Sequence, residues 1–573
     1  MILVFGGTTE GRKAVEVLEE GGSPYFYSTK TGEQDITLHH GQRIDGALDE
    51  EAMRAFCRTQ NIRLIVDAAH PFASQLHQTI AQVSKALNIS VIRYERIYPE
   101  RNPHLEWIED YSQIPQDIHT LLATTGVQSI AKLSPLEAKG MKIFYRILPR
   151  ESSMALAEKL GAKKEQLCFF EDGATIDVEA EAILLKESGL SGGFTEKVEA
   201  AKAKGMRILV LKRPEINFKH SVNGPYGLRR MVEKLLPEFY PLHSGLTTGT
   251  CATAAAVAAA QRLLKNETPE AVPVLLPDGE TIYVPVSYNE EYASVFKDAG
   301  DDPDVTNGLE IRASVKPSDT FRILGGEGVG RFTLPGFDYP PGEAAINKAP
   351  REMIRQNLEP FGVPLQVTIS VPDGAEIARR TFNPRLGIEG GISIIGVSGI
   401  VKPFSEEAFI DSIRKCMTVA KASGSERVVI NSGGKSERFV KALYPTLPQQ
   451  AFVEYGNYIG ETLKIAHELN IKNVTLGVML GKAVKLAAGH LDTHSRKAIM
   501  DKEFINDMLH EAGISIDINN ITLARELWEM IPPTKIQNFA DVVIRHCETH
   551  CKPILPNGEL TILLIDDGGN IYQ

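Results

Sequence analysis

The sequence is poor in cysteine and in long apolar or basic runs. Six cysteines are scattered through 573 residues, which gives no disulfide framework and is typical of a reducing compartment. The apolar stretch at 252–260 is alanine-rich and ends at Gln261, too short to span a membrane. No long basic run offsets the formal net charge of -11. We therefore expect a cytoplasmic protein that acts neither on nucleic acid nor in a membrane.

The chain is long, and short apolar runs alternate with amphipathic stretches in its first part. At 573 residues it is too long for one hydrophobic core. Up to about residue 238, short apolar runs such as Ile2–Phe5 and Leu64–Val66 alternate with amphipathic stretches such as Ala73–Leu87. This alternation predicts parallel sheets covered by helices.

The pattern changes near 237–244, where two prolines suggest a linker. Residues 245 to about 410 are rich in Gly, Pro and Asp, and strand–helix alternation returns from Glu426. We predict an α/β protein whose N-terminal half has two Rossmann-like domains and whose C-terminal half has an α+β domain followed by an α/β domain. Its predicted parts are Rossmann-like parallel-sheet domains at 1–115 and 116–238, a linker at 239–244, an α+β domain at 245–410 and an α/β domain at 411–573.

The first strand ends in a small, glycine-rich turn. Gly6 and Gly7 would end the strand, and Thr8 and Thr9 would begin a helix whose free N–H groups attract phosphate. The full dinucleotide fingerprint is absent. An ordinary strand–helix turn with threonine as N-cap explains the same spacing equally well.

Several further motifs occur in a fixed order in this half. Taken together, the ordered series resembles the precorrin-6A reductase family: GGTTEGR at 6–12, DAAHPFASQ at 67–75, TTG at 124–126, Arg146, SGGFTEK at 191–197 and KRP at 212–214. The resemblance implies two Rossmann-like domains that bind a cofactor and a tetrapyrrole between them. It also implies transfer of a hydride from NADPH or NADH to one C=C bond of the macrocycle.

The resemblance assigns roles to individual positions. The first turn would hold the cofactor with a second glycine-rich turn and the TTG turn, and Arg146 would contact substrate. The cofactor residues are Gly6, Gly7, Thr8, Thr9, Thr125, Gly126, Ser191, Gly192, Thr195 and Lys197. Asp67 and His70 are the candidate catalytic residues, because they follow a strand, where open α/β sheets bind ligands. His70 is either a proton donor to the reduced bond or a cap of the next helix.

The second half opens with a polar turn before an alanine-rich helix. Thr247, Thr248 and Gly249 offer N–H groups suited to a carboxylate of the substrate. Cys251 stands at the helix start, where a thiol can be activated. A small residue packing beside alanines is the better interpretation of Cys251, because a one-step methyl transfer needs no enzyme nucleophile.

Long, unusual motifs follow. This half resembles the cobalt-precorrin-5B C-1-methyltransferase family through VFKDAGDDPDVTNG at 295–308, GGEGVGRFTLPGF at 325–337, AINKAPREMI at 345–354, TFNPRLGIEGGISIIGVSG at 381–399 and GKAVKLAAGHLDTHSR at 481–496. The resemblance implies transfer of the methyl of S-adenosylmethionine to C-1 of the ring, yielding cobalt-precorrin-6A.

The candidate residues of this half are polar positions within or beside those motifs. Asp298 and His494 are the candidate bases. Arg351, Asn383 and Arg385 are candidate contacts to substrate carboxylates. Asn431, Gly433, Gly456 and Asn457 lie at glycine-rich turns suited to S-adenosylmethionine.

Three segments contain residue types that can bind metal ions: the acidic loop 298–304, His490 with His494, and RHCETHC at 545–551. None of the three has a recognised ligand spacing, and no metal is predicted.

The leading hypothesis is a bifunctional enzyme of corrin ring synthesis that acts on cobalt-precorrin tetrapyrroles. Two alternatives stay open: a tetrapyrrole-binding carrier or sensor, or an enzyme with one active half and the other as scaffold. The sequence also leaves open whether the chain forms a homo-oligomer.

Overall fold

The computed structural model describes residues 1–30, 36–169, 176–215, 217–495 and 497–573; Arg496, the last residue of the 481–496 motif, lies outside them. The chain forms two compact units. The first comprises Met1–His243 with Leu275–Tyr283, and the second comprises Ser244–Val274 with Val284–Gln573.

The first unit alternates strands and helices. Its strands are β1 (Ile2–Phe5), β2 (Tyr25–Thr29), β3 (Gly41–Asp45), β4 (Leu64–Asp67), β5 (Ser90–Tyr94), β6 (Glu106–Ile108), β7 (Thr120–Ala123), β8 (Lys142–Arg146), β9 (Leu167–Cys168), β10 (Ala182–Lys186), β11 (Arg207–Leu211) and β12 (His220–Val222). Its helices are α1 (Thr9–Glu19), α2 (Glu50–Thr59), α3 (Ser74–Leu87), α4 (Ile130–Glu137), α5 (Glu151–Lys159), α6 (Phe194–Ala203) and α7 (Pro225–Leu235).

These strands form two parallel sheets, as the alternation predicts. The first has the order β12-β5-β4-β1-β2-β3, and the second has the order β6-β11-β10-β7-β8-β9. Strand β1 is buried along its length because both faces are covered: Val4 packs into one apolar cluster and Leu3 into another.

The path of the chain differs from the predicted division at residue 115. Strand β6 already belongs to the second sheet, and β12 and α7 return to the first. The two Rossmann-like layers are therefore interleaved in sequence. Apolar periodicity does not reveal this return, because β12 is a short edge strand with one buried residue, Val222.

The second unit begins with a helix and a set of mainly antiparallel strands. Its first strands are β13 (Gly245–Leu246), β14 (Ala271–Leu275), β15 (Thr281–Pro285), β16 (Ser287–Tyr288), β17 (Ala293–Phe296), β18 (Glu310–Pro317), β19 (Arg322–Gly325), β20 (Arg331–Phe332), β21 (Leu365–Ser370), β22 (Ile388–Glu389) and β23 (Ile400–Val401). Its first helices are α8 (Thr248–Lys265), α9 (Lys348–Leu358) and α10 (Gly374–Ile377). The turn of the β14–β15 hairpin groups with the first unit.

The mixed sheet here has the order β16-β17-β18-β21-β19, so β19 is an edge strand. Helix α8 packs on β17 and β18, and its residues 248–260 are buried. Alanine both favours the helix and lets neighbouring backbones approach closely. This architecture is the predicted α+β part.

The remainder of the second unit is α/β. Its helices are α11 (Glu406–Ala422), α12 (Gly434–Leu443), α13 (Ile459–Glu468), α14 (Leu480–Ala487), α15 (Lys502–Glu511), α16 (Leu527–Met530) and α17 (Ile536–Cys551). Its strands are β24 (Arg427–Asn431), β25 (Phe452–Glu454), β26 (Asn473–Met479), β27 (Glu559–Ile565) and β28 (Ile571–Tyr572), in the sheet order β25-β24-β26-β27-β28. All pairs are parallel except β27–β28.

Among the described residues, no helix is long and apolar enough to cross a membrane.

Candidate active sites

A cavity of about 220 Å³ lies in the first unit at the carboxyl ends of its strands. Its lining comes from both sheets: His70, Arg96, Thr124, Thr125, Gly126, Lys186, Ser188, Gly192 and Lys197. The volume is below that of a pocket for a whole drug-sized ligand, so the cavity fits part of a dinucleotide or of a tetrapyrrole.

Positive charge dominates this cavity. Burial lowers the pKa of Lys186 to about 8, with a smaller contribution from Lys132, and burial also lowers the pKa of Lys197. Arg96 supplies a third cation and is 7% exposed. Cations held out of water gain most from an anionic ligand, so the lining suits phosphates or carboxylates.

Two turns bring the backbone to the cavity. Gly126 has φ +87°, a conformation that favours glycine. At Gly192, a Cβ would lie 2.6 Å from Ser188 and 2.8 Å from Arg96. These positions therefore require glycine for conformation and for space respectively, which agrees with their predicted place in a ligand site.

A buried ion pair ties the first turn to this cavity. Arg96 Nε donates to Glu10 Oε2 at 2.9 Å, and its Nη1 donates to the Ser188 carbonyl at 2.7 Å. The Ser191 hydroxyl also donates to Glu10. Glu10, Arg96, Lys186 and Ser188 were not predicted, although Arg96 and Lys186 have a readable signal: each is a cation at or just past the end of a buried strand.

The structure places His70 in the cavity, in surroundings that favour the neutral form of its ring. Its Nδ1 accepts the N–H of Phe72 at 3.2 Å, so the ring proton sits on Nε2. Burial, followed by the positive charges of Arg96 and Lys186, lowers the pKa of His70 to about 3. A neutral imidazole is a hydrogen-bond donor but a poor acid, which argues against His70 as the proton donor.

Asp67 is fully buried in a closed network rather than exposed to a ligand. It accepts from His77 Nδ1 at 2.6 Å, from Arg93 Nη1 at 3.0 Å and from the Ala69 N–H at 3.2 Å. The catalytic role of Asp67 stays a prediction. Its carboxylate neutralises Arg93, which is 1% exposed.

Other predicted residues of this half lie outside the described cavity lining. Gly7 N–H donates to the Tyr27 hydroxyl at 3.1 Å, and Thr8 caps α1 by accepting from Gly11 at 3.0 Å. The helix-capping interpretation of the turn thus describes Thr8. Those not lining it are Gly6, Gly7, Thr8, Thr9, Arg146, Ser191 and Thr195. Arg146 is buried and lies near enough to Lys197 to lower its pKa.

In the second unit, a polar cluster lies at the carboxyl ends of β24 and β25. Buried Asn431 accepts from the Gly433 N–H at 3.1 Å and fixes the turn into α12. Gly433 has φ +142°, and a Cβ there would lie 3.2 Å from Glu454 Oε1. A Cβ on Gly434 would meet nothing within 4 Å. Open space therefore adjoins the turn beside the Glu454 carboxylate.

Two ionisable residues near this turn, Glu454 and Lys482, were not among the site residues predicted from the sequence. Burial raises the pKa of Glu454 against the opposing effect of Arg385, and burial lowers the pKa of Lys482 to about 8. Lys482 Nζ donates to the Gly456 carbonyl. Perturbed groups beside a glycine turn are typical of ligand sites. Of the predicted residues, Asn431, Gly433 and Gly456 belong to this region, and the Asn457 carbonyl accepts from Thr493.

Arg385 and Asn383 are held by internal contacts. Arg385 Nη1 pairs with Glu437 at 2.8 Å, and Asn383 is buried, donating to the Gly391 carbonyl at 3.1 Å and accepting from Ser393 at 3.2 Å. Arg385 still lies close enough to Glu454 to influence its pKa. The positive charge of Arg385 therefore acts on Glu437 and Glu454 within the protein more directly than on a carboxylate of the substrate.

The turn at 247–249 is packed rather than open. Thr248 is 3% exposed and accepts the Ile395 N–H at 2.8 Å, while the Gly249 N–H donates to the Ile395 carbonyl at 2.9 Å. Thr247 caps α8. The donors that we expected to meet a carboxylate are thus used within the protein, and Cys251 is buried as a packing residue.

The candidate bases Asp298 and His494 lie in polar loops. Asp298 is exposed and accepts the Gly300 N–H at 2.9 Å. In the same loop, Asp304 pairs at 2.7 Å with Lys297, which is 2% exposed, so this carboxylate stabilises a buried cation. The His494 N–H donates to Asp492 at 3.0 Å, and His490 is exposed.

Cys547 and Cys551 are both buried on α17, where burial raises their pKa values. In the part of the chain that the structure describes, no group of three or more His, Cys, Asp or Glu side chains could hold a metal ion.

Turns at the carboxyl ends of strands, buried cations and a carboxylate beside an open glycine turn are features of α/β enzymes whose ligands carry anionic or nucleotide groups. Models of known families match both parts. Residues 1–228 match "Precorrin-6x reductase CbiJ/CobK", residues 237–403 match CbiD, and residues 492–573 match the CbiD C-terminal domain.

Relatives of the second part are similar over nearly their full length. A cobalt-precorrin-5B C(1)-methyltransferase of Prosthecochloris aestuarii is 41% identical over 350 residues, covering 57% of this chain and 95% of the relative. The enzyme of the same name from a Geobacillus species is 41% identical over 323 residues, covering 53% of this chain and 88% of the relative. The chain belongs to the cobalt-precorrin-5B C(1)-methyltransferase family and carries a precorrin-6x reductase region before it.

Solved structures similar to this chain bear corresponding titles. A cobalamin biosynthesis protein (cbiD) from Archaeoglobus fulgidus has 32% identity and a TM-score of 0.27, covering 45% of this chain and 83% of its own. A chain titled CobK precorrin-6A reductase has 16% identity and a TM-score of 0.33, covering 41% of this chain and 96% of its own.

The family matches confirm the predicted fusion of a methyltransferase and an oxidoreductase of cobalamin biosynthesis. At the family level, C-methylation implies S-adenosylmethionine and precorrin reduction implies NADPH.

The protonation state of His70 is directly measurable. We expect its imidazole NMR signals in the full-length protein to stay in the neutral form from pH 8 down to about pH 4, because the folded pKa is about 3. In urea-unfolded protein the same ring should titrate with a pKa of about 6.5. His70→Gln identifies the signal. Titration of the folded signal near neutrality would contradict the buried, cation-flanked environment.

Proposed function

We propose that the chain catalyses two successive steps of corrin ring synthesis. The second unit methylates cobalt-precorrin-5B at C-1 to give cobalt-precorrin-6A, and the first unit reduces that product to cobalt-precorrin-6B. The observation that carries the proposal is the presence of both family regions in one chain, the methyltransferase part covering 95% of a relative. Cobalt-precorrins are the proposed substrates, and the cytoplasm is the proposed location.

The first-unit cavity is the proposed reductase site. Arg96, Lys186 and Lys197 would bind phosphates of the nicotinamide cofactor or carboxylates of the ring, and Gly126 and Gly192 would let the ligand approach the backbone. The cofactor supplies the hydride. The second hydrogen must arrive as a proton, and Lys186 is the proposed donor because it lines the cavity with a pKa of about 8.

The polar cluster at the carboxyl ends of β24 and β25 is the proposed binding site of S-adenosylmethionine. Glu454 ends β25, the neighbour of β24, and follows the Asn431 turn by about twenty residues. An acidic side chain at this position in a parallel sheet accepts hydrogen bonds from the hydroxyls of a ribose. Gly433 and Gly434 leave room beside the carboxylate for the nucleoside. The methyl donor is already activated as a sulfonium, so these residues act by positioning.

The function is tested with full-length protein supplied with cobalt-precorrin-5B, S-adenosylmethionine and NADPH or NADH. The product should gain a net CH2 and two hydrogens by mass spectrometry. Omitting the nicotinamide should stop the mass at the CH2 gain. The same result with both cosubstrates present would refute the reductase activity, and binding without any mass change would favour a carrier or sensor.

Lys186 makes the reduction pH-dependent in a stated direction. A proton donor must carry its proton, so kcat for reduction should fall as pH rises through about 8. Lys186→Met should lower kcat by about 100-fold, within the range for general acids, and remove this limb of the profile. Lys202→Met is the control, because Lys202 is exposed and pairs with Glu199. An unchanged pH profile in Lys186→Met would exclude Lys186 as the donor.

Glu454 is tested by removing its charge. Glu454→Gln should raise the KM for S-adenosylmethionine about ten-fold, since a hydrogen bond to a charged group contributes roughly 1.5–3 kcal/mol. Reduction of supplied cobalt-precorrin-6A with NADPH should be unaffected. Glu461→Gln is the matched control, since Glu461 is partly exposed and pairs with Lys464. Equal KM values for S-adenosylmethionine in the two variants would count against a binding site at Glu454.

A further inference from the structure

A second cavity, of about 620 Å³, lies in the second unit between α9 and the edge strand β19. We call it the α9 cavity. Its lining includes Arg322 and Leu324 of β19, and Lys348, Arg351 and Arg355 of α9. The three α9 side chains share one helix face because they are three and four residues apart. The volume is within the range of pockets that hold small-molecule ligands.

Positive charge exceeds negative charge in the α9 cavity. Its four cations, Arg322, Lys348, Arg351 and Arg355, stand against two carboxylates, Glu343 and Glu352. This is a local reversal in a chain whose formal net charge is -11. Lys348 approaches Glu352 only to 3.9 Å. The lining therefore favours a ligand that carries several negative charges.

Two of the arginines lie over aromatic rings. The guanidinium carbon of Arg351 lies 4.1 Å from the centre of the Tyr339 ring, and that of Arg355 lies 5.1 Å from the Phe321 ring. Arg351 is further fixed by bonds from Nε to the Ile346 carbonyl at 2.8 Å and from Nη2 to the Ala344 carbonyl at 3.1 Å. Arg351 Nη2 also pairs with Glu343 at 3.2 Å. Arg355 is exposed, and a guanidinium over an aromatic ring can still make a bidentate contact with a carboxylate.

The same cavity offers apolar surface. Leu324 is 42% exposed, and Ile323 and the rings of Phe321 and Tyr339 line the wall. A flat conjugated ring would cover this surface while its acidic side chains reach the arginines. Small phosphates would use the cations but leave the apolar wall in water.

From this combination we infer that the α9 cavity binds the tetrapyrrole substrate of methyl transfer, with Arg322 and Arg355 contacting its peripheral carboxylates. This inference rests on the proposed function. Of the substrate contacts predicted from the sequence, Arg351 is the one that lines this cavity. Arg351 has a mainly positioning role there, because it bonds to the segment 343–346, whose first residue, Glu343, lines the cavity.

The test uses full-length Arg322→Gln, Arg355→Gln and the double variant, with Arg525→Gln as an exposed control outside the cavity lining. At saturating S-adenosylmethionine, each cavity variant should raise the KM for cobalt-precorrin-5B about ten-fold, and kcat should stay within about two-fold. An unchanged KM for S-adenosylmethionine, together with the retained kcat, would verify that the second unit of each variant is folded.

A binding titration separates this inference from the proposed function. Uroporphyrin, a tetrapyrrole with acetate and propionate side chains, should bind the wild type at two salt-sensitive sites, one in each unit. In the double variant the affinity of one of these two sites should fall about 100-fold, and the other site should be unchanged. If this uroporphyrin binding is found in a protein that does not methylate cobalt-precorrin-5B, the proposed methyltransferase function is refuted and the inferred binding site is supported. If the double variant of an active enzyme keeps its KM for cobalt-precorrin-5B and its Kd for uroporphyrin, the α9 cavity is not the substrate site. A loss confined to kcat would overturn the inference as well. So would binding of an oligonucleotide in place of uroporphyrin.

Discussion

Parallel strands that are buried on both faces have no room for polar side chains, so their chemistry is displaced to the strand ends. Val4 and Leu3 of β1 pack on opposite faces, and polar groups appear only where the strand stops. All carboxyl ends of a parallel sheet meet at one edge, which gathers side chains that are far apart in sequence. Lys186 in the first unit and Glu454 in the second occupy this edge in their respective sheets.

Buried charges at those edges persist because each has a partner. Asp67 neutralises Arg93, and Glu10 neutralises Arg96; the exposed fraction of each of these residues is below a tenth. Removing one partner would leave a charge in a medium of low dielectric constant, which typically costs about 3–5 kcal/mol. Lys186 differs, because burial disfavours its charge and lowers its pKa to about 8. It is a cation prepared for an anionic ligand or for release of a proton.

Apolar periodicity predicted the strands and the general α/β architecture, because burial of a strand or a helix face is written in local sequence. The glycine turns at Gly126 and Gly433 were likewise readable from composition. The partners of buried charges were not readable in this way: nothing local indicates that Asp67 pairs with Arg93, twenty-six residues later. The return of β12 to the first sheet and the packing of Thr248 under Ile395 also depend on long-range contacts that no local pattern encodes.

The central claim is that one polypeptide performs both reactions on the same macrocycle. A double-label experiment tests it directly: cobalt-precorrin-5B, S-adenosylmethionine with a 13C methyl group and NADPH deuterated at the transferred position are incubated with the purified full-length protein. The account predicts single product molecules that carry both the 13C methyl and one deuterium. Products that carry the 13C methyl but never deuterium, with the deuterated cofactor left unconsumed, would contradict it.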